Sequence, residues 1–322
     1  MWQHMRRLWP KWTLLPVLPF WVWAGVCAWR GQLRWDHLVI AAVVSALAYG
    51  NLATRRLFLG LLPMGLVGLF YDAMRLVKNV GLTAENIHIC DLRATELAWF
   101  GLTVGGERVT LHDWLQAHAS LPLDVVAAVP YGTFLLAVVG YALFLFVRDF
   151  RSEQRFMWGF LALNFAGFLT YHLYPAAPPW YYHAHGCAAD LSAGASAGPN
   201  LTRVDALLGI PYFAGFYGRS SDIFGAVPSL HVAYPLLMAI EGYRHHRAFG
   251  RTLLVAFYLW MCFAAVYLDH HWVIDILWGS AYTVAVAFLM RRLSPWVLRR
   301  FLPKEQVALG LVVGTEPGPW QS

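Results

Sequence analysis

Long apolar runs separated by short polar segments dominate the chain and predict most of its elements. Eight runs are long enough, or nearly so, to form helices of roughly 20 residues, the length that crosses the apolar part of a bilayer. These runs are residues 12–30, 36–53, 57–73, 123–147, 156–174, 228–243, 251–269 and 271–292. The pattern therefore predicts an all-α, polytopic membrane bundle of about eight transmembrane helices.

Composition supports this class. The 322 residues are 59% hydrophobic and 13% charged, whereas about a quarter of the residues in a soluble domain are charged. The chain contains 16 Trp, as expected when many side chains lie at membrane interfaces. The net charge of +6 does not indicate nucleic acid binding, because the basic residues lie between the apolar runs rather than in one patch.

The first run has two interpretations. A basic start followed by an apolar core is typical of a signal peptide. No small-x-small cleavage site follows cleanly, however, and Pro16 and Pro19 interrupt the core. We favour a retained first helix.

The basic residues predict the orientation of the bundle. With both termini in the cytoplasm, 16 of the 24 Lys and Arg residues fall inside and 8 outside, while the acidic residues divide as 5 inside and 13 outside. The positive-inside rule favours this arrangement. It predicts that the long segments 74–122 and 175–227 lie on the outer face of the membrane, together with both candidate motifs.

Three regions follow from this pattern: accessory helices in 1–56, a core over 57–300 and a disordered Gly- and Pro-containing tail over 301–322. Apolar and aromatic residues between 97 and 115 predict short amphipathic helices at the outer interface. The Gly, Ala and Ser residues of 186–200 predict a mobile loop, either a lid or an ordinary connector.

Two of the four cysteines, Cys27 and Cys262, lie inside apolar runs and are expected to pack there. Cys90 and Cys187 both lie in the outer segments. They can form a disulfide in an oxidising compartment, or remain two unpaired loop cysteines, and the sequence leaves both possibilities open.

The candidate chemistry begins with His271 and Asp275. Their spacing of four residues places both on one face of the last helix. A carboxylate there can accept a hydrogen bond from one imidazole nitrogen and leave the other as a lone pair aimed at a substrate. A purely structural His–Asp pair at a helix end would have the same spacing.

A second histidine favours the catalytic interpretation. His231 follows Pro228 and Ser229 at the start of another helix on the same side of the membrane. The free amides and the hydroxyl of that first turn can bind phosphate. His231 can then protonate a leaving alkoxide and later accept a proton from an acceptor.

These motifs resemble those of the type 2 phosphatidic acid phosphatase superfamily, and more closely the aureobasidin-sensitive inositol phosphorylceramide synthases and their bacterial relatives. Residues 225–231 resemble the Gly-x-x-Pro-Ser-Leu-His segment, and 270–279 resemble His-His-aromatic-x-x-Asp-x-x-x-Gly. Residues 174–180 match a further signature, and 71–75 resemble Tyr-Asp-x-x-Arg. The resemblance covers about 57–292 and implies a six-helix catalytic core.

The resemblance implies that His271 is the nucleophile that forms a phosphohistidine, that Asp275 orients it and that His231 is the acid and base. The lipid phosphatases carry Ser-Arg before the last histidine, whereas this chain has Ala264 and Ala265. That difference favours the transferase branch. Asp269 also departs from the family, where Thr or a small residue is expected.

Further candidates for substrate contacts share a position near the motifs. They are Ser229, Pro228, Gly225, Arg75, Tyr174 and His270. Each has a structural alternative, such as a snorkelling arginine or an interfacial aromatic residue. His183, His185 and Asp190 could bind a metal, but their spacing is a weak signal. We expect no metal and no cofactor.

The expected reaction transfers a phosphorylated headgroup, such as phosphoinositol, from a phospholipid donor to a lipid hydroxyl acceptor, such as ceramide. One alternative is a lipid or polyprenyl phosphatase with water as the acceptor. Another is a lipid transporter or lipid-binding protein with no chemistry. The sequence gives no indication of the oligomeric state.

Overall fold

The structure is a computed structural model that describes residues 2–9, 13–77, 80–218 and 222–301. Helices dominate these ranges. They are α1 (Trp2–Leu8), α2 (Leu18–Trp29), α3 (Trp35–Tyr49), α4 (Leu52–Val77), α5 (Cys90–Phe100), α6 (Leu111–Ala117), α7 (Leu121–Arg148), α8 (Phe150–Leu173), α9 (Pro179–His185), α10 (Gly198–Leu208), α11 (Tyr212–Tyr217), α12 (Leu230–Gly242), α13 (Ala248–Tyr267) and α14 (Val273–Phe301). Two short strands, β1 (Leu102–Val104) and β2 (Glu107–Val109), pair antiparallel.

Each of the eight predicted apolar runs contains a helix, namely α2, α3, α4, α7, α8, α12, α13 and α14. In the described ranges, α4, α7, α13 and α14 are long and apolar enough to cross a membrane, by length and composition. The remaining apolar helices α2, α3 and α12 are shorter. The prediction of an all-α integral membrane bundle is confirmed. The predicted tail lies outside the described residues, apart from Phe301.

The chain forms two compact units, Met1–Tyr71 and Asp72–Ser322. In the first, α3 packs against α1 and α2. In the second, α7, α8, α12, α13 and α14 pack as a bundle. These are five of the six predicted core helices, while the sixth, α4, crosses the boundary between the units. The predicted division at residue 56 stays a prediction.

Helix α12 lies at the centre of this bundle, where it contacts α7, α8, α13 and α14. Nine of its 13 residues are buried, because a helix that is apolar on all sides needs partners on all sides. Its first turn also meets α14 closely, since a Cβ on Gly279 would lie 2.3 Å from the Ser229 carbonyl oxygen. Only glycine permits this approach, which brings the start of α12 against the second turn of α14.

The segment between α5 and α6 corrects one prediction. Short helices do form on either side, but Leu102, which was expected in a helix, lies in β1. Gly105 and Gly106 adopt φ values of +62° and +90°, the conformation that a tight hairpin turn requires. Two adjacent glycines therefore place a hairpin where only amphipathic helices were predicted.

The disulfide left open by the sequence is present in the structure. Cys90 and Cys187 are bonded with a Cα–Cα distance of 5.5 Å and a separation of 97 residues. The bond joins the first residue of α5 to the segment that follows α9. Cys27 is buried and Cys262 is partly buried.

Candidate active site

Two histidines from different helices meet at one end of the bundle. His231 lies in the first turn of α12, and His271 lies in the turn between α13 and α14. The Nδ1 atom of His231 is 3.1 Å from the Nε2 atom of His271. Residues 40 positions apart are thus in direct contact.

The hydrogen-bond partners of the two rings indicate their tautomers. His271 Nδ1 lies 2.9 Å from the Ala226 carbonyl oxygen, which can only accept, so Nδ1 carries the proton. Its Nε2 is then a lone pair that accepts from His231 Nδ1. The remaining nitrogen of His231 lies 3.4 Å from the hydroxyl of Tyr217. Burial lowers the pKa of His271 to about 4, so at neutral pH this lone pair is retained.

Asp275 is fully buried and lies close to His271, but its main partner differs from the predicted one. Its Oδ2 is 3.5 Å from His271 Nδ1, whereas it accepts a hydrogen bond of 2.8 Å from the Trp272 amide. The reason is that α14 begins at Val273, so His271 precedes the helix instead of lying on its face. The carboxylate therefore caps the first turn of α14, and Ala226 accepts the closer hydrogen bond from the ring.

The turn before α12 supplies polar groups beside the two rings. Ser229 is fully buried, and its Oγ has no hydrogen-bond partner among the described residues. Its amide donates to the Asp275 carbonyl at 3.0 Å. The first amides of a helix lack partners within that helix, so the start of α12 suits an anion. The preceding Pro228 accepts a hydrogen bond of 3.0 Å from the Tyr171 hydroxyl.

Aromatic residues that the sequence did not single out enclose His231. Tyr131 stacks on its ring at a centroid distance of 4.6 Å and an angle of 13°. Phe134 meets the same ring edge-on at 4.9 Å. Both residues project from α7, 97 or more positions earlier in the chain, and nothing in the local pattern links them to the histidine motifs.

His270 lies beside this enclosure and faces the loop of 186–200. Its Nε2 is 2.8 Å from the Ala197 carbonyl, and its ring contacts Tyr131 and Tyr217 edge-on. Burial lowers the pKa of His270 to about 4. The loop of 186–200, which was predicted to be mobile, is therefore hydrogen-bonded through Ala197 to His270, the residue next to His271.

The other residues predicted to contact the substrate are Tyr174, Gly225 and Arg75, and their neighbours show where each of them lies. Tyr174 stacks on His88 at 3.8 Å and packs against the cluster that contains Trp272. Gly225 faces the ring of Tyr171, which a Cβ would approach to 3.0 Å. Arg75 is exposed, and its described ion-pair partner is Asp72 at 3.9 Å. The structure does not bring Arg75 to the pair.

Comparison with known families agrees with this geometry. The model of the PAP2 superfamily matches residues 99–289, a range that contains Ser229, His231, His271 and Asp275. The chain belongs to the PAP2 superfamily.

Curated relatives of this PAP2 superfamily member include phosphoinositol dihydroceramide synthase of Bacteroides thetaiotaomicron, 34% identical over 252 residues, 77% of this chain and 81% of the relative. Inositol phosphorylceramide synthase of Candida albicans is 33% identical over 194 residues, 58% of this chain and 38% of that protein. The catalytic subunit from Saccharomyces cerevisiae is 32% identical over 179 residues, 55% and 44% of the two chains. The chain thus spans most of the bacterial relative and less than half of each fungal one. No solved structure matches it.

The departure from the phosphatase motif lies in the last turn of α13. Ala264 and Ala265 are both fully buried. The carbonyl of Ala265 accepts from the amides of His270 and His271 at 3.2 and 3.1 Å. Small side chains here let the turn that carries His271 pack directly on α13, and an arginine at either position would have to enter a closed core.

Proposed function

We propose that this PAP2 superfamily member is a membrane phosphotransferase that moves a phosphorylated headgroup, such as phosphoinositol, from a phospholipid to a lipid hydroxyl, such as that of ceramide. The observation that carries the proposal is the 3.1 Å contact between His231 Nδ1 and His271 Nε2 beside the first turn of α12. The names of the bacterial and fungal relatives support the substrate classes.

In the proposed first step, the lone pair of His271 Nε2 attacks the phosphorus atom of the donor. The bond from phosphorus to the diacylglycerol oxygen breaks, and His231, doubly protonated when the anionic donor is bound, gives its Nδ1 proton to that oxygen and becomes neutral. The substrate phosphate replaces the direct hydrogen bond between the two rings. The first-turn amides of α12 and Ser229 Oγ bind the phosphate oxygens as their charge increases.

In the second step, a lipid hydroxyl attacks the phosphohistidine. His231 accepts the hydroxyl proton, the phosphorus–nitrogen bond breaks, and the pair returns to its starting state. Asp275 keeps the first turn of α14 in place, while Ala226 keeps the proton on Nδ1 of His271. This chain's residues can perform both steps with one proton shuttled by His231.

A headgroup-transfer assay tests the proposal. Purified protein receives phosphatidylinositol with a labelled headgroup together with ceramide, and we expect the label to appear on ceramide. Release of labelled inositol phosphate or free phosphate alone would identify water as the acceptor, and no cleavage would indicate a lipid-binding protein. We expect His271→Ala to abolish product and covalent phosphate. His172→Gln, at an exposed position on α8, is the matched control and should retain both.

The preferred donor follows from the charge available at the site. A phosphodiester carries one negative charge and a terminal phosphate up to two, and Ala264 and Ala265 replace the residues that would counter the second. We therefore propose that phosphatidylinositol has a higher kcat/KM than phosphatidic acid. A clear preference for the monoester, with release of inorganic phosphate, would contradict the transferase assignment.

The proposal includes an outward-facing site in the bacterial inner membrane, with both termini in the cytoplasm. It is supported by the excess of basic residues on the opposite side of the predicted topology. The disulfide between Cys90 and Cys187 also favours an oxidising compartment for the site end of the bundle, because disulfides persist outside the cytosol.

A further inference from the structure

Asp269, two residues before His271, has an unusual backbone. Its φ is +66°, and it is the one non-glycine residue with a positive φ in the part of the chain that the structure describes. Residues other than glycine rarely adopt this conformation, and such strain persists only where the surroundings hold it. Asp269 is also fully buried. Its surroundings must therefore hold both an unfavourable backbone and a carboxylate.

Two histidines from separate helices face this carboxylate. His183 of α9 places Nδ1 2.5 Å from Asp269 Oδ2. His112 of α6 places Nδ1 3.3 Å from Oδ1, an ion-pair distance without hydrogen-bond geometry. The backbone is held as well, since the Trp180 amide donates to the Asp269 carbonyl at 2.9 Å. Helices α6 and α9 thus contact Asp269 from two sides.

The contacts continue outward from His183. Its Nε2 lies 3.0 Å from Asp113 Oδ1, and Arg93 of α5 donates to Asp113 Oδ2 at 2.8 Å. The hydrogen bonds to Asp113 and Asp269 raise the pKa of His183 to about 9. Burial alone would raise the pKa of Asp269, but its contacts with His112 and His183 lower it. At neutral pH the charges therefore alternate in sign along this series of contacts, from Arg93 to Asp269.

The same group of residues also holds the other side of His271. His112 Nε2 is 3.8 Å from Glu96 Oε1. Glu96 accepts from the amides of Val273 and Ile274 at 3.0 and 3.5 Å, and so caps α14 from a different helix. The turn that carries the nucleophile is therefore fixed before and after His271 by one polar cluster.

We propose that Asp269 is a positioning residue for His271. His183 and His112 hold the Asp269 carboxylate in place, and Asp269 in turn keeps His271 Nε2 aligned with His231 and the incoming phosphorus atom. None of these three residues belongs to the family motifs quoted above. The inference rests on the proposed function, because it assigns Asp269 a role in phosphohistidine formation. This role depends on the Asp269 carboxylate, because the backbone conformation of Asp269 alone does not align His271.

Two substitutions separate the carboxylate from the backbone. Asp269→Asn keeps the shape and loses the charge, whereas Asp269→Gly relieves the backbone and loses the side chain. We expect both to slow single-turnover phosphohistidine formation on the order of 10²-fold, with the KM for the donor changed less than about threefold. Wild-type rates in Asp269→Gly would overturn the proposal, because the backbone would then suffice.

A double-mutant cycle with His183→Gln tests the coupling. His183 is partly exposed, so this variant should fold even if Asp269→Asn does not. We expect His183→Gln to slow phosphohistidine formation about tenfold on its own and to add little in the Asp269→Asn background. Additive losses would contradict the proposal. His185→Gln, on the same helix but with its ring packed at an angle against Tyr181, is the matched control and should leave the rate unchanged.

Melting temperatures measured without lipid complete the experiment. We expect the effects of Asp269→Asn and His183→Gln on the melting temperature to be non-additive, because the two wild-type side chains are in direct contact. If wild-type protein forms no phosphohistidine, the proposed function fails, while the melting cycle still tests the contact. If the wild type reacts and Asp269→Asn reacts equally fast with an unchanged KM, the positioning role fails and the proposed function stands.

Discussion

At the scale of single residues, His271 and His183 differ in charge at neutral pH, because one ring is neutral and the other is a cation. Burial lowers the pKa of His271 to about 4, while two carboxylates raise the pKa of His183 to about 9. Desolvation disfavours the charged form of the first ring, and nearby negative charge favours the charged form of the second. The ring of His271 is thus neutral, as the proposed nucleophile must be, and the ring of His183 is a fixed cation.

The raised pKa of His183 predicts how stability changes with pH. An unfolded histidine titrates near 6.5, so the stabilisation is complete below that pH and is lost as the pH rises through about 9. Asp113 and Asp269 face the ring directly, with Arg93 and His112 beyond them.

We therefore expect the melting temperature of the wild type to fall between pH 6.5 and pH 9, and that of His183→Gln to fall less. Thermal unfolding in detergent at constant ionic strength measures both. Parallel curves for the two proteins would show that His183 gains no proton affinity on folding, and His185→Gln should follow the wild type.

At the scale of elements, the contact between α12 and α14 depends on one missing side chain. An alanine at position 279 would place its Cβ 2.3 Å from the Ser229 carbonyl. We expect Gly279→Ala to destabilise the protein by roughly 1–3 kcal/mol and to reduce phosphohistidine formation, because Ser229 and Asp275 would move apart.

Gly140 of α7 is the matched control for this substitution. A Cβ there meets no atom within 4 Å, so Gly140→Ala should stabilise by up to about 1 kcal/mol through helix propensity and leave activity intact. Thermal unfolding and the labelled-phosphate assay compare the two variants. Equal stability of Gly279→Ala and wild type would show that the helices can separate without cost.

The sequence predicted the elements better than their contacts. The eight apolar runs located eight helices because burial in a membrane leaves a continuous signal along the chain. The pair of His231 and His271 was also predictable, since each residue lies in a recognisable motif. Glu96 and His112 were not, because the turn that they contact, at Asp269 and Val273, lies more than 150 residues away and no periodicity records such a contact. The hairpin at Gly105 was missed because its strands have only three residues each.

At the scale of the whole molecule, the predicted topology requires opposite ends of the bundle to lie on opposite sides of the membrane. Gly194, in the loop near His270, is exposed, and Ala248 at the far end of α13 is exposed too. In a background without Cys27 and Cys262, we expect Gly194→Cys to react with a membrane-impermeant thiol reagent in cells whose outer membrane has been made permeable. Ala248→Cys should react only after lysis, and the reverse pattern would invert the topology.

The length of α12 bears on why a lipid would be the acceptor. Its 13 residues rise only about 20 Å, against an apolar layer of about 30 Å. If the far end of α12 were at one boundary of that layer, His231 would be roughly 10 Å from the other. Water partitions poorly to that depth, whereas an alcohol carried on a lipid is already confined there at high local concentration. The short length of α12 would thus favour a lipid alcohol over water as the acceptor through the depth of the site, before any side chain distinguishes the two.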